Sequence, residues 1–260
     1  MQVAKVIDHI TDWLNDYIDE SGMNGFVIGV SGGIDSAVTS TLGARTGKTM
    51  LCVEMPIHQG VNQVTRAQRH IEFLKSNYPN VESIEVPLTP TFESLVKALS
   101  PVQEEWQDMA LVNTRARLRM TTLYYFAAFH DYLVLGTGNK VEDFGIGFYT
   151  KYGDGGVDLS PIADLNKTEV YALGRELGVN TEILEAPPTD GLWHDDRTDE
   201  DQIGASYPEL EWAMEFEGDE SGLSEREQEV MAIYRRLNKA NQHKMLPIPV
   251  CMIPENLRNG

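Results

Sequence analysis

Cysteine is nearly missing from this chain of 260 residues, which has only Cys52 and Cys251. Two thiols build neither a disulfide framework nor a four-cysteine zinc site. Both read as small hydrophobes. Basic residues are scarce as well: 21 Lys and Arg stand against 40 Asp and Glu, a formal net charge of −19. So acidic a surface lacks the basic footprint that phosphate backbones require, which excludes nucleic acid as a partner. Any anion site must be built locally. No apolar run approaches membrane-spanning length, and the N-terminus is amphipathic rather than signal-like. A cytoplasmic protein without a membrane partner is expected. No internal repeat is visible.

Core material is present, with 42% hydrophobic residues. The length suits one large α/β domain. Residues 2–20 carry Val3, Val6, Ile7, Ile10, Trp13, Leu14, Tyr17 and Ile18 at helical spacing, predicting one apolar stripe. Strands are predicted over 26–30, 50–55, 83–86 and 132–135, and helices over 34–46, 62–76, 92–99, 106–130 and 222–237. Strands alternating with helices predict a parallel sheet. Sites in such sheets lie at the carboxyl ends of strands. Residues 186–202 read as a long acidic loop, either a mobile lid or a solvated linker.

The most telling stretch is Gly29-Val30-Ser31-Gly32-Gly33-Ile34-Asp35-Ser36, at the end of the first strand. Gly32 and Gly33 let the chain turn sharply and let a polyanion approach its N–H groups. The following helix offers unpaired N–H donors and a positive dipole end. Asp35 beside phosphates calls for a bridging cation, most simply Mg²⁺. The alternative is a Ser/Gly turn capped by Asp35. The pattern resembles the SGGxDS pyrophosphate loop of the ATP pyrophosphatases, the adenine nucleotide alpha-hydrolase-like superfamily. Two other glycine motifs fail. Gly43-Ala44-Arg45-Thr46-Gly47-Lys48-Thr49 has the wrong spacing for a Walker A loop and follows a helix. Gly136-Thr137-Gly138-Asn139-Lys140-Val141 lacks the third glycine of a dinucleotide fingerprint.

Three later segments carry unusual chemistry. Asn113-Thr114-Arg115-Ala116-Arg117-Leu118-Arg119 places three arginines in a helix, with Arg115 and Arg119 on one face. They suggest a bound anion, or a solvated face paired with local acids. Glu142, after a strand's carboxyl end, is either a second cation ligand or a solvated loop residue. The run Phe148-Tyr149-Thr150-Lys151-Tyr152-Gly153-Asp154-Gly155-Gly156-Val157-Asp158 mixes aromatics, charge and glycine too densely for a plain turn. There Phe148 could stack on a planar ring, Lys151 hold an anion, and Asp154 and Asp158 accept from ribose hydroxyls.

These segments, in this order, resemble the ammonia-dependent NAD⁺ synthetases from the first helix to His243-Lys244. The 148–158 run is the most specific part of the likeness. The resemblance implies a doubly wound parallel sheet flanked by helices, Rossmann-like, in a single domain over 1–260 with no glutaminase domain. It implies a homodimer in which the 1–24 helix, with Tyr17, meets the partner subunit. The implied reaction amidates deamido-NAD⁺ with ammonia and ATP, releasing AMP and pyrophosphate. The implied ATP contacts are Gly29 to Ser36, Thr137, Lys167 and Thr189. Deamido-NAD⁺ falls to Asn113, Arg117, Phe148, Lys151, Asp154, Asp158, His243 and Lys244. Mg²⁺ falls to Asp35 and Glu142, and the catalytic roles to Asp35, Lys167 and Asp154. Gly138 stands where the family usually has Asp, which implies one carboxylate fewer and a looser loop. A tRNA-modifying relative would need basic patches, and a GMP-forming one would not need the 147–158 run. A non-catalytic nucleotide sensor would not need Glu142, Lys151 and Lys167 together.

Overall fold

The computed structural model describes residues 1–99, 104–189 and 198–258. Its centre is a parallel sheet of β1 (Gly25–Gly29), β2 (Thr49–Glu54), β3 (Val81–Glu85) and β4 (Tyr132–Val134), in the order β3-β2-β1-β4. Around it lie α1 (Val3–Ser21), α2 (Ile34–Arg45), α3 (Val61–Asn77), α4 (Thr89–Ala98), α5 (Glu104–His130) and α6 (Lys167–Glu176). They are followed by α7 (Thr181–Leu184), α8 (Asp199–Ile203), α9 (Tyr207–Glu215) and α10 (Glu225–Met245).

Strand β1 is an inner strand: Phe26 is in register with Met50 on one side and Leu133 on the other. Its unbroken apolar run is what a strand covered on both faces requires. Successive side chains go to opposite faces. Phe26, Ile28, Met50 and Cys52 join a core with Ile10 and Leu14 of α1, Leu42 of α2, Leu74 of α3 and Leu173 of α6. Val27, Leu51, Val53 and Val134 join a second core with Phe92 of α4 and Ala127 of α5. The sheet is therefore doubly wound, as expected. A third cluster packs Val141 and Ile146 against Ile203, Leu210, Val230 and Met231, attaching the C-terminal helices beside the sheet.

Several expectations are corrected. In α1 the buried stripe is Ile7, Ile10, Leu14 and Ile18, while Trp13 and Tyr17 are 39% and 40% exposed with their rings 6.0 Å apart. Helix α4 starts at Thr89, before the expected 92, because Pro90 is tolerated in a first turn. Helix α10 runs on to Met245. Its end is held by tertiary bonds: Asn238, Asn241 and Lys244 donate to the carbonyls of Gly145, Ile146 and Gly147. The acidic loop ends earlier than 202. Thr198 and Asp201 form a capping box, so the acids at 199–201 open α8 and face its positive end. Within that loop, residues 190–197 lie outside the described residues.

One buried titratable group lies far from the strand ends. His70 of α3 is fully buried, with Nε2 2.9 Å from Ser40 Oγ. Ser40 Oγ donates its proton to the Ala37 carbonyl, so His70 Nε2 must be the donor between them. Among the described residues Nδ1 then has no partner, and burial lowers the imidazole pKa to about 4. An unfolded chain takes up this proton near 6.5. Between those values the unfolded state binds more protons, so stability falls as pH falls, by about 3 kcal/mol in all. Urea melts of His70→Gln should lack this component. The stability gap between wild type and variant should narrow by that amount from pH 7 to pH 4; a constant gap would contradict the assignment.

Candidate active site

At the carboxyl end of β1, the Val30 N–H still bonds to the Val53 carbonyl at 3.1 Å before the chain turns. Two hydroxyls lock the turn. Ser36 Oγ donates to the Gly33 carbonyl at 3.0 Å and accepts the Ser31 N–H at 3.3 Å. Ser31 Oγ accepts the Gly33 N–H at 3.3 Å. Gly32 sits at φ +80°, where a Cβ would lie 2.6 Å from the Gln63 carbonyl of α3. Only glycine meets both demands. Arg66 of α3 donates from Nε to the Gly32 carbonyl at 3.3 Å. Helix α2 opens at Ile34 with Asp35 in its first turn, its N-terminus beside the loop.

Facing the loop, Lys167 opens α6 and is 3% exposed. Its ammonium donates to Asp35 Oδ2 at 2.6 Å and to Glu142 Oε1 at 3.0 Å. Three neighbours fix these groups. Asn139, fully buried, donates from Nδ2 to Asp35 Oδ1 at 3.1 Å. Its Oδ1 accepts the N–H groups of Val141 and Glu142, each at 3.1 Å, opening the π-helical turn Val141–Ile146. Tyr207, first residue of α9, donates its hydroxyl to Glu142 Oε1 at 2.6 Å and lays its ring 4.7 Å from the Lys167 ammonium. Burial opposes the charge on Lys167, but the two carboxylates outweigh it and keep the amine protonated with a raised pKa. Burial raises Asp35, only partly offset by Lys167. Burial and the Glu142 carboxylate push the Tyr207 phenol well above its usual value, so it stays a donor.

A cavity of about 270 Å³ joins this cluster to both strand-end loops. Gly29 to Ser36, Thr137, Glu142, Phe148, Asp154, Lys167 and Thr189 all line it, as do Arg66 and Arg119. Asp143 lines it too and settles what Gly138 does. A Cβ at 138 would lie 2.1 and 2.2 Å from the two Asp143 carboxylate oxygens. The Asp143 carboxyl group thus occupies the space that a side chain at 138 would take, pressed onto bare backbone. Burial, then the charges of Glu142, Asp154 and Asp35, push Asp143 up to about 8. Adding a methyl at 138 forces this carboxylate aside. A double-mutant cycle of Gly138→Ala with Asp143→Ala should show a coupling of about 1 kcal/mol in urea melts; strict additivity would mean that the two positions do not compete for space.

The NAD synthase family model matches residues 6–247. The chain belongs to the NAD synthase family. The NH(3)-dependent NAD(+) synthetase of Carboxydothermus hydrogenoformans is 36% identical over 239 residues, covering 91% of this chain and 93% of that one. Among solved structures, the NMN synthetase from Francisella tularensis is similar with a TM-score of 0.85 and 30% identity, covering 98% of this chain and 99% of that one. The NH3-dependent NAD synthetase from Campylobacter jejuni gives a TM-score of 0.78 at 25% identity, covering 97% and 100%.

In this NAD synthase fold the remaining expected substrate residues stand around the cavity rather than in its wall. Thr150 donates to Asn113 Oδ1 at 2.7 Å, and Arg117 donates to the Lys151 carbonyl at 3.3 Å. Lys151 donates to the His243 carbonyl. Lys244 donates to the carbonyls of Gly147 and Tyr149 at 2.8 and 2.7 Å. All bind the 147–154 run, whose Phe148 and Asp154 do line the cavity. Asp158 takes the Tyr124 hydroxyl and the Val134 N–H, each at 2.9 Å, and braces the end of β4. Asn139, Asp143 and Tyr207 belong to the site without a motif in the sequence to mark them. Asn139 carries a faint signal, an amide following Gly-Thr-Gly just before a helical turn; Tyr207 carries none.

Proposed function

We infer that the chain amidates the nicotinate carboxylate of deamido-NAD⁺ with ammonia, at the expense of ATP cleaved to AMP and pyrophosphate. The observation that carries the reading is the convergence of Asp35 and Glu142 on the Lys167 ammonium, beside the Ser31–Ser36 loop. Carboxylates that converge on one ammonium suit a hard cation as well, with phosphate oxygens and water completing its shell. Mg²⁺ held by Asp35 and Glu142 would offset charge on the pyrophosphate.

The loop N–H groups and the start of α2 receive the phosphates. A nicotinate carboxylate oxygen attacks the α-phosphorus, and the bond to the bridging oxygen of the β-phosphate breaks. Lys167 carries positive charge to the departing pyrophosphate. Ammonia then attacks the adenylated carbonyl carbon, the C–O bond breaks, AMP leaves with that oxygen, and the nitrogen gives its surplus proton to the departing AMP phosphate. Asp154 takes the proton that ammonium must lose. Its carboxylate lines the cavity and is oriented by the Thr150 N–H at 3.0 Å, within reach of the incoming nitrogen. Phe148 stacks on the nicotinate ring, with Asn113, Arg117, Lys151, Asp158, His243 and Lys244 reading the rest of the dinucleotide. A homodimer pairs the exposed Trp13 and Tyr17 of α1 with the partner subunit. No helix among the described residues is long and apolar enough to cross a membrane, in keeping with a cytoplasmic enzyme.

A second acceptor is favoured by the 0.85 TM-score to the Francisella tularensis NMN synthetase. There the smaller nicotinate mononucleotide would take the place of deamido-NAD⁺. Incubation with ATP, Mg²⁺ and ammonium, plus one acceptor or the other, decides. AMP and NAD⁺ formed chiefly from deamido-NAD⁺ support the first reading; faster amidation of the mononucleotide supports the second. ADP, or no AMP from either, overturns both.

A further inference from the structure

We propose that Tyr207 is a positioning residue for the cation site, holding Glu142 for the metal and Lys167 for the nucleotide. The metal part rests on the function inferred above. Glu142 Oε1 has two donors, Lys167 at 3.0 Å and the Tyr207 hydroxyl at 2.6 Å. Lys167 also serves Asp35, and its charge is the one that must turn toward phosphate during turnover. Tyr207 has no second task in the reaction. When Lys167 leaves, the phenol is what keeps Glu142 in place. The same ring offers its face to the Lys167 ammonium at 4.7 Å, a cation–π contact that guides the amine as it moves.

Tyr207 is itself held from behind. It is 3% exposed and starts a helix whose capping box joins Ser206 to Glu209. Its N–H donates to Glu200 Oε1 at 2.9 Å, and its hydroxyl lies 3.4 Å from Asp199 Oδ2. The phenol has one proton. The shorter contact shows that Glu142 receives it, and Asp199 stands as the weaker alternative acceptor. The phenol therefore gives Glu142 an anchor fixed by α8 and α9, independent of the nucleotide loop.

Two variants separate the two roles. Tyr207→Phe keeps the ring face and removes the hydroxyl; Tyr207→Leu removes both. Mn²⁺ binding is read by calorimetry on the protein with a non-cleavable α,β-methylene ATP, beside thermal melts and steady-state kinetics. Partners that orient metal ligands are typically worth about 10–100-fold in affinity. Tyr207→Phe should weaken Mn²⁺ binding by about tenfold. Its melting point should stay within about 2 °C of wild type, with the KM for the acceptor unchanged and kcat recovered at high Mg²⁺. Tyr207→Leu should lose kcat even at saturating Mg²⁺. Unchanged Mn²⁺ affinity in Tyr207→Phe would overturn the proposal, as would a uniform loss of metal, ATP and acceptor binding together. If the wild type makes no AMP, the inferred reaction fails, while the calorimetry still judges Tyr207.

Discussion

Lys167→Met should lower turnover by about 10²–10³-fold, and it should also destabilise the ligand-free protein by about 3–5 kcal/mol. Both effects come from one position. The ammonium sits between Asp35 Oδ2 and Glu142 Oε1, with the lysine side chain 4% exposed and the carboxylates 17% and 16% exposed. Methionine fills the same volume but leaves two nearly buried carboxylates facing each other without a counter-charge. Part of the cost is relieved when one of them takes up a proton, since burial already raises Asp35. Mg²⁺ should therefore raise the melting point of Lys167→Met more than that of wild type, because the ion replaces the missing charge. In catalysis Lys167 has no substitute: a metal can balance the carboxylates, but among the described residues no other buried amine lines the cavity. Turnover within tenfold of wild type at saturating Mg²⁺ would remove Lys167 from the reaction.

Gly32→Ala should weaken ATP binding by about 10–100-fold and cost about 2–5 kcal/mol of stability, the sum of overpacking and a left-handed backbone. The new Cβ would meet the Gln63 carbonyl at 2.6 Å and the Ala67 nitrogen at 3.0 Å, both backbone atoms of α3. Neither can rotate away, so the loop or the helix must move, and with it the N–H groups that receive the phosphates. Gly33 is the internal control. Its φ is −95°, and a Cβ there would meet nothing nearer than Ser31 Oγ at 3.4 Å. Gly33→Ala should keep the wild-type melting point within about 2 °C, a change under about 1 kcal/mol. Calorimetric titration with ATP, together with melts of both variants, checks the contrast. Equal effects at 32 and 33 would mean that the loop tolerates displacement.

The parts of the site legible in the sequence are those built by neighbours along the chain. Ser31 to Ser36 form their turn from residues within five positions of one another, so the pattern alone describes the loop. The inner strands were readable because burial on both faces leaves an unbroken apolar run. Trp13 and Tyr17 misled because periodicity marks an apolar face without telling which flank of it the sheet covers. Asn139, Asp143 and Tyr207 were hidden because their roles depend on distant partners; Tyr207 meets Glu142 across 65 positions of sequence. Asp143 was hidden further by Gly138, since the meaning of an absent side chain depends on what fills its place. Helices α6, α8 and α9 open on capping boxes at Asn166–Glu169, Thr198–Asp201 and Ser206–Glu209, signals present in the sequence and outweighed there by its acidic, irregular composition.

The most direct measurement of the central claim is the fate of the acceptor's carboxylate oxygen. Deamido-NAD⁺ labelled with ¹⁸O in its nicotinate carboxylate is turned over with ATP, Mg²⁺ and ammonium, and the AMP is weighed by mass spectrometry. Attack of that carboxylate on the α-phosphorus, followed by ammonia at the carbonyl carbon, transfers one label, so AMP should carry one ¹⁸O and pyrophosphate none. Unlabelled AMP, or ADP with phosphate in its place, would contradict the account.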